Sequence, residues 1–225
     1  MSLKPGAALL FDIDGTLVES DPLHLQAFNT VFGPRGYQFD RQRFGQQLQG
    51  LANEAIAARF LPGETPERQA AVMDEKEATF RKLAEAGIEP VHGLFDLLDW
   101  ADAQGVPMVA VTNAPRANAD QLLDAIGVRQ RFRAVVVAED LQHGKPHPLP
   151  YLEGLRLLGA EAANSVAFED SRTGIASATA AGIATIGMAT GLDPQQLVEA
   201  GAVMGVPDYR DAGLLDFVKG RLLAG

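Results

Sequence analysis

The sequence predicts an α/β protein whose core is a doubly wound, Rossmann-like parallel sheet, with a small all-helical cap domain inserted after the first strand. Two observations favour this class. Short apolar runs alternate with helical patterns over most of the chain, and one long segment breaks the alternation with helical patterns alone. A third observation, polar residues directly after several apolar runs, predicts a site at one edge of the sheet.

Five short runs rich in Val, Ala and Ile predict the strands. Apolar side chains at nearly every position are typical of strands that are buried on both faces of a parallel sheet. Polar residues follow three of the runs directly: Asp12, then Thr112 with Asn113, then Glu169 with Asp170. The predicted strands are Ala8–Phe11, Pro107–Val111, Ala134–Val137, Ser165–Phe168 and Ala184–Ile186.

Helical patterns lie between the later strands, and each is followed by a glycine, as is common at the end of a helix. These predicted helices are Gly93–Gln104, Ala117–Ile126 and Leu149–Leu158.

Residues 19–86 contain helical patterns without a strand pattern. The predicted helices are His24–Phe32, Leu51–Phe60 and Pro66–Ala86, separated by turns at 33–36 and 61–65. We therefore predict an α/β core of residues 1–18 and 87–225, and a separate helical cap of residues 19–86 over the edge of the sheet.

Composition and charge exclude several classes of function. The net charge of −10, from 29 acidic and 19 basic residues, repels nucleic acid and anionic lipid, so we expect neither nucleic acid nor a membrane as a partner. The absence of cysteine excludes disulfides, thiolate catalysis and cysteine-based zinc sites. The chain shows no secretory signal and no apolar run of the roughly 20 residues that span a bilayer. We expect a cytoplasmic protein and, by default, a monomer.

The most informative motif is Phe11-Asp12-Ile13-Asp14-Gly15-Thr16-Leu17, directly after the first strand. Two carboxylates at this spacing project to the same side of an extended chain, and Gly15 permits a sharp turn. A lone Asp-x-Asp would more often comprise a turn cap and a solvated residue. The strand before the motif and the helical pattern after it favour a catalytic pair instead.

This motif and its context resemble the haloacid dehalogenase superfamily, and the resemblance covers nearly the whole chain. The resemblance implies phosphoryl transfer, with Asp12 as the nucleophile that forms an aspartyl-phosphate. Asp14 would protonate the leaving group and then activate water. Carboxylate nucleophiles and carboxylic general acids are chemically suited to these steps.

Three further motifs occur in the order that the family implies. Thr112 and Asn113 would bind phosphoryl oxygens, although Thr-Asn after a strand is usually only a turn. The segment Gly144-Lys145-Pro146-His147-Pro148-Leu149-Pro150-Tyr151 resembles the family's lysine motif, in which Lys145 would pair with Asp12 and stabilise transition-state charge. A surface lysine is the alternative. His143 and His147 are interpreted as loop residues.

The acidic pair Glu169 and Asp170 resembles the metal motif of the family. Asp170 would ligate Mg²⁺ together with Asp12 and the backbone carbonyl of Asp14, and Glu169 would support the site. Hard oxygen ligands suit Mg²⁺. The alternative is that Asp170 merely caps the helix that begins near Ser171.

The predicted cap resembles the β-phosphoglucomutase-like branch, which also holds sugar-phosphate and phosphoglycolate phosphatases. The resemblance implies that the cap determines substrate specificity and that His24 links cap closure to Asp14. The segment Gln47-Leu48-Gln49-Gly50-Leu51 resembles the substrate-specificity loop of the branch, and Lys76 would face the site. As alternatives, His24 is a packing residue and Lys76 belongs to a solvated face. Asn53 occupies a position where β-phosphoglucomutases carry an arginine for a second phosphate, and an amide cannot replace that guanidinium.

The sequence therefore predicts a Mg²⁺-dependent phosphatase for a small phosphorylated metabolite of the sugar-phosphate or phosphoglycolate type. A phosphosugar mutase is the alternative, because Arg41, Arg43 or Arg59 could supply the missing cap charge. A catalytically silent relative is a third interpretation, although every catalytic position is filled.

Overall fold

The computed structural model describes residues 2–224, which contain a six-stranded, fully parallel sheet with the order β3-β2-β1-β4-β5-β6. The chain runs from β1 outward to β3 and then crosses to β4 on the other side of β1. Ligands bind at such a reversal of strand order, beyond the carboxyl ends of the strands. The strands are β1 (Ala8–Phe11), β2 (Met108–Thr112), β3 (Ala134–Val137), β4 (Ser165–Glu169), β5 (Ala184–Met188) and β6 (Met204–Val206).

Helices connect the strands and cover both faces of the sheet. Alternate residues of β1 point to opposite faces, so Leu9 and Phe11 enter one hydrophobic core and Ala8 and Leu10 enter the other. Within 87–224 the helices are α5 (Leu94–Gln104), α6 (Arg116–Ala125), α7 (Leu149–Leu158), α8 (Arg172–Ala180), α9 (Pro194–Glu199) and α10 (Ala212–Leu222). The predicted doubly wound α/β fold is confirmed.

Residues 19–86, here called the helical insert, form helices without a strand. The helices are α1 (Asp21–Phe32), α2 (Arg41–Gln47), α3 (Asn53–Phe60) and α4 (Pro66–Ala84). They enclose a hydrophobic cluster of their own, in which Phe28, Phe32, Phe39 and Phe60 pack edge to face or at a tilt. The division into cap and core domains stays a prediction.

Two elements have weak sequence patterns. Strand β6 has three residues and lies at the edge of the sheet, so its apolar pattern is too short to distinguish from a loop. Helix α2 has a polar sequence in which Phe44 is the buried residue, so it shows little helical periodicity. Among residues 2–224, every helix is too short or too polar to cross a bilayer.

Candidate active site

A small cavity of about 80 Å³ lies where the carboxyl edge of the sheet meets the helical insert. Asp12 follows β1, Thr112 ends β2, and Asp170 follows β4, so the parallel strands bring these residues to one place. The predicted residues that line the cavity are Asp12, Asp14, His24, Gly50, Asn53, Lys76, Thr112, Asn113, Lys145 and Asp170.

Lys145 lies at the base of the cavity and donates three hydrogen bonds. Its Nζ atom is 2.5 Å from Asp12 Oδ1, 2.6 Å from Glu169 Oε1 and 2.7 Å from the Val111 carbonyl oxygen. Burial alone would lower the pKa of Lys145, but the two carboxylates outweigh burial and raise it to about 12. The side chain is therefore a buried cation rather than the solvated surface lysine of the alternative interpretation.

Asp170 adds a third buried carboxylate to the two that contact this ammonium group. Asp12, Glu169 and Asp170 each offer an oxygen, and these oxygens lie within 4.8 Å of one another. Burial raises the pKa of Asp12 and of Asp170 well above the ordinary value, and neighbouring carboxylates add to the rise. Hard oxygen ligands and excess negative charge fit a divalent cation. These residues can therefore hold a metal of that kind.

Asp170 does not cap helix α8. The hydroxyl of Ser171 accepts a hydrogen bond from the Gly174 amide at 3.1 Å and performs that role. The Asp170 carboxylate instead accepts a hydrogen bond from Gln49 Nε2 at 2.7 Å. Gln49 belongs to the helical insert, so this contact joins the insert to the carboxylate cluster.

The Asp14 side chain points toward the helical insert. Its Oδ1 atom accepts a hydrogen bond from Ser20 Oγ at 2.6 Å and lies 2.9 Å from His24 Nε2. Burial opposes ionisation of Asp14, but His24, Ser20 and Lys76 outweigh it, so the pKa of Asp14 is below its ordinary value. Asp14 is therefore held as a carboxylate in this conformation.

The tautomer of His24 follows from its second contact. Lys76 Nζ lies 3.0 Å from His24 Nδ1, and an ammonium group can only donate. When the ring is neutral, its proton is therefore on Nε2, from which it is donated to Asp14. The ring also stacks on Phe80 with a centroid distance of 3.8 Å, so His24 both packs in the insert and contacts Asp14.

Asn113 connects three segments around the site. Its Nδ2 donates to the carbonyl oxygens of Gly50 at 3.0 Å and Lys145 at 3.1 Å, and its Oδ1 accepts from the Lys145 amide at 2.8 Å. The Thr112 hydroxyl accepts a hydrogen bond from the Ala114 amide at 2.9 Å. The amide of Asn113 is thus committed to protein partners, whereas Thr112 can still donate its hydroxyl proton.

Two glycines permit close approaches at this edge. Gly15 has φ +71°, and a β-carbon there would collide with the Asp170 carboxylate. Gly50 has φ +72°, and a β-carbon there would collide with the hydroxyls of Ser171 and Thr173. Both positions therefore require glycine for backbone geometry and for space.

The three arginines that could supply cap charge to a mutase bind other parts of the protein, away from the cavity. Arg41 donates to the Thr190 carbonyl oxygen at 3.3 Å, and Arg43 lies 4.9 Å from the centroid of the Phe39 ring. Arg59 donates to the Gln47 carbonyl oxygen at 3.4 Å. None of the three lines the cavity as the structure describes it.

The sequence motifs missed several residues that complete the site. Asp21 and Glu77 line the cavity, and Tyr151 donates to Glu169 Oε1 at 2.6 Å. Tyr151 and Gln49 lie inside segments that the motifs identified, so the motif context was a signal for them. Asp21 precedes the predicted helix His24–Phe32 and Glu77 lies within Pro66–Ala86, so neither carries more than the general signal of a charged residue in or beside a predicted helix.

Comparison with known proteins identifies the family. A match to the haloacid dehalogenase-like hydrolase family covers residues 9–188. The fructose-1-phosphate phosphatase YqaB of Escherichia coli strain K12 is 32% identical over 178 residues, which are 79% of this chain and 93% of that protein.

Two solved structures share the fold over nearly the full chain. A mutant of CbbY from Rhodobacter sphaeroides in complex with xylulose-(1,5)bisphosphate has a TM-score of 0.80 and 28% identity, covering 92% of this chain and 96% of that one. A putative β-phosphoglucomutase from Bacteroides vulgatus has a TM-score of 0.83 and 25% identity, covering 99% and 92%.

The chain belongs to the haloacid dehalogenase-like hydrolase family. The resemblance that the sequence motifs indicated is thereby confirmed, and with it the predicted class of enzyme, a phosphomonoester hydrolase.

Proposed function

We propose that this protein is a Mg²⁺-dependent phosphatase that hydrolyses a small phosphorylated metabolite through an aspartyl-phosphate on Asp12. The observation that carries the proposal is the environment of Asp12. One oxygen of its carboxylate is bound by Lys145 at 2.5 Å, and the side chain lines the cavity with Asp14 and Asp170. A buried carboxylate with one tethered oxygen presents the other oxygen as a nucleophile.

In the first half-reaction, the free oxygen of Asp12 attacks phosphorus and the bond from phosphorus to the ester oxygen breaks. Asp14 enters this step in the protonated form that the second half-reaction of the preceding turnover leaves, and it gives that proton to the departing oxygen, so the product leaves as an alcohol. Lys145 stays beside Asp12 and stabilises the charge that accumulates on the transferring group. Thr112, with its free hydroxyl proton, donates a hydrogen bond to a phosphoryl oxygen.

In the second half-reaction, the Asp14 carboxylate takes a proton from water and the resulting oxygen attacks the phosphorus of the aspartyl-phosphate. The bond between Asp12 and phosphorus breaks, phosphate leaves, and Asp12 is regenerated. The contacts of His24 and Ser20 lower the pKa of Asp14 and favour the carboxylate that this step begins with.

The carboxylates of Asp12 and Asp170, supported by Glu169 and by the predicted contribution of the Asp14 backbone carbonyl, would hold the Mg²⁺ ion. When bound, Mg²⁺ supplies positive charge that offsets the repulsion between an anionic nucleophile and an anionic phosphate. The buried acidic cluster supports this assignment.

We also propose that residues 19–86 act as a cap that opens and closes over residues 1–18 and 87–225. A cavity of about 80 Å³ is smaller than the roughly 300–1,000 Å³ of typical small-molecule sites, so a substrate needs the insert to move away. Opening would break the contacts of Gln49 with Asp170 and of Gly50 with Asn113 and Thr173.

Mutase activity is the second candidate, and the similarity to a putative β-phosphoglucomutase favours it. A mutase must hold a bisphosphate by the phosphate that is not reacting. Asn53 offers an amide at the cavity wall, and Arg41, Arg43 and Arg59 are bound elsewhere, which favours hydrolysis.

The test is phosphate release from a panel of metabolites, first with Mg²⁺ and then with EDTA. The panel contains phosphoglycolate, glycerol phosphate, hexose and pentose phosphates, nucleoside monophosphates and β-glucose 1-phosphate. We expect release that requires Mg²⁺ and favours one compound. Conversion of β-glucose 1-phosphate to the 6-phosphate, without net release, would establish the mutase instead.

A further inference from the structure

Lys76 and Glu77 form a buried ion pair in the cavity wall that the helical insert contributes. Lys76 Nζ lies 3.0 Å from Glu77 Oε1, and the two residues are 3% and 4% exposed. The same Nζ lies 3.0 Å from His24 Nδ1 and 4.4 Å from the centroid of the Phe28 ring. A carboxylate, an imidazole nitrogen and an aromatic face therefore surround this ammonium group.

The Glu77 carboxylate is also held by a residue outside the helical insert. Its Oε2 atom accepts a hydrogen bond from Asn118 Nδ2 at 2.6 Å, and Asn118 is fully buried on α6. Asn118 Oδ1 in turn accepts a hydrogen bond from Arg81 Nη1 at 2.8 Å. Burial opposes ionisation of Glu77, but Lys76 outweighs it and the pKa of Glu77 is below its ordinary value. The charge of Lys76 is therefore balanced by the Glu77 carboxylate, which the hydrogen bond from Asn118 holds in place.

Among the described residues of the insert that line the cavity, Lys76 is the only lysine, and there is no arginine. Asp21 adds a carboxylate, and Asn53 and Gln49 add amides. Gln49 Oε1 is buried without a hydrogen-bond partner, so it can accept a hydrogen bond from a ligand hydroxyl. The apolar part of this wall consists of Phe28, Phe44, Leu48, Leu51 and Ile56.

We propose that Glu77 determines substrate specificity by neutralising Lys76, so that the site accepts monophosphates with an uncharged, hydroxyl-bearing leaving group. Substrates with a second anionic group, a carboxylate or another phosphate, meet Asp21 and a cation that Glu77 already occupies. Like charges repel each other strongly in a partly buried site, so a second anionic group on the substrate reduces its affinity. This inference rests on the proposed phosphatase function and selects among its substrates.

The experiment compares Glu77→Gln with the matched control Glu75→Gln, an exposed residue of the same helix. Values of kcat/KM are measured with Mg²⁺ for glycerol 1-phosphate, a hexose monophosphate, phosphoglycolate and a sugar bisphosphate. For the unaltered protein we expect kcat/KM at least ~10-fold higher for the uncharged leaving groups. Glu77→Gln is expected to shift the ratio at least ~10-fold toward the anionic compounds, mainly through KM, while Glu75→Gln leaves it unchanged.

A second variant covers the case in which Glu77→Gln does not fold. Asn53→Lys adds an ammonium group to the same wall without disturbing the buried pair, and we expect its ratio to shift in the same direction. Folding of each variant is checked by thermal unfolding.

Three results would count against the proposal. Equal rates of the unaltered protein on charged and uncharged leaving groups would overturn the specificity but leave the phosphatase function intact. An unchanged ratio in folded Glu77→Gln, or in Asn53→Lys where Glu77→Gln is unfolded, would overturn the role of charge at this wall. Absence of phosphate release from every compound would overturn the proposed function and this inference together.

Discussion

Replacement of Lys145 by methionine tests the electrostatics of the site, because methionine keeps much of the volume and removes the charge. Lys145 is 5% exposed and neutralises Asp12 and Glu169 through hydrogen bonds of 2.5 and 2.6 Å. Loss of one partner from a buried ion pair costs about 3–5 kcal/mol, since the other charge is left uncompensated. We expect the free energy of unfolding to fall by that amount in EDTA.

The assay is urea denaturation at neutral pH, with Lys82→Met as the control because Lys82 is exposed on α4. The control is expected to change the free energy of unfolding by less than about 0.5 kcal/mol. The double variant Lys145→Met with Glu169→Gln removes one of the unpaired charges, so it is expected to recover part of the loss. Added Mg²⁺ should do the same for Lys145→Met.

A loss below about 1 kcal/mol in Lys145→Met would refute this reasoning, because it would mean that water or proton uptake relieves the two carboxylates at little cost. An equal loss in Lys82→Met would mean that any lysine-to-methionine replacement destabilises the protein, and that the effect does not come from the buried charges of the site.

Three further predictions concern the carboxylates. Asp12→Asn is expected to abolish turnover while the chain still folds, because Lys145 keeps its ion pair with Glu169, and near-normal phosphate release would contradict the nucleophile assignment. Asp170→Ala is expected to weaken Mg²⁺ dependence and activity together, so an unaltered Mg²⁺ titration would remove Asp170 from the metal site. Burial raises the pKa of Asp21 from 3.8 to about 6, so the folded protein keeps a proton that the unfolded chain releases. The free energy of unfolding therefore decreases by about 2 kcal/mol as pH rises from 3.8 to about 6, allowing for solvent screening of a half-buried group. Asp21→Asn should remove that decrease. The measurement is the free energy of unfolding from denaturation curves at several pH values up to and above 6, and the same dependence on pH in Asp21→Asn as in the unaltered protein would contradict the prediction.

The sequence by itself was sufficient for the fold class, and it predicted that the candidate site lies at one edge of the sheet. Apolar strands such as Ala8–Phe11 are local patterns, and each motif that follows a strand is contiguous in the chain. Parallel strands then bring Asp12, Thr112 and Asp170 to one edge as a consequence of topology. Strand β6 was missed because three residues at an edge carry too little pattern.

Tertiary structure decided what each charged group contacts. Glu77 follows Lys76 in sequence, yet its second partner, Asn118, lies 41 positions away on a core helix, and nothing local indicates that contact. The contact of Gln49 with Asp170 spans 121 positions and depends on how the insert packs on the sheet. Side-chain pairing across such separations follows from packing, and packing also sets burial and charge balance. A sequence motif can therefore indicate candidate reacting groups, whereas the composition of the cavity wall around them requires the folded chain.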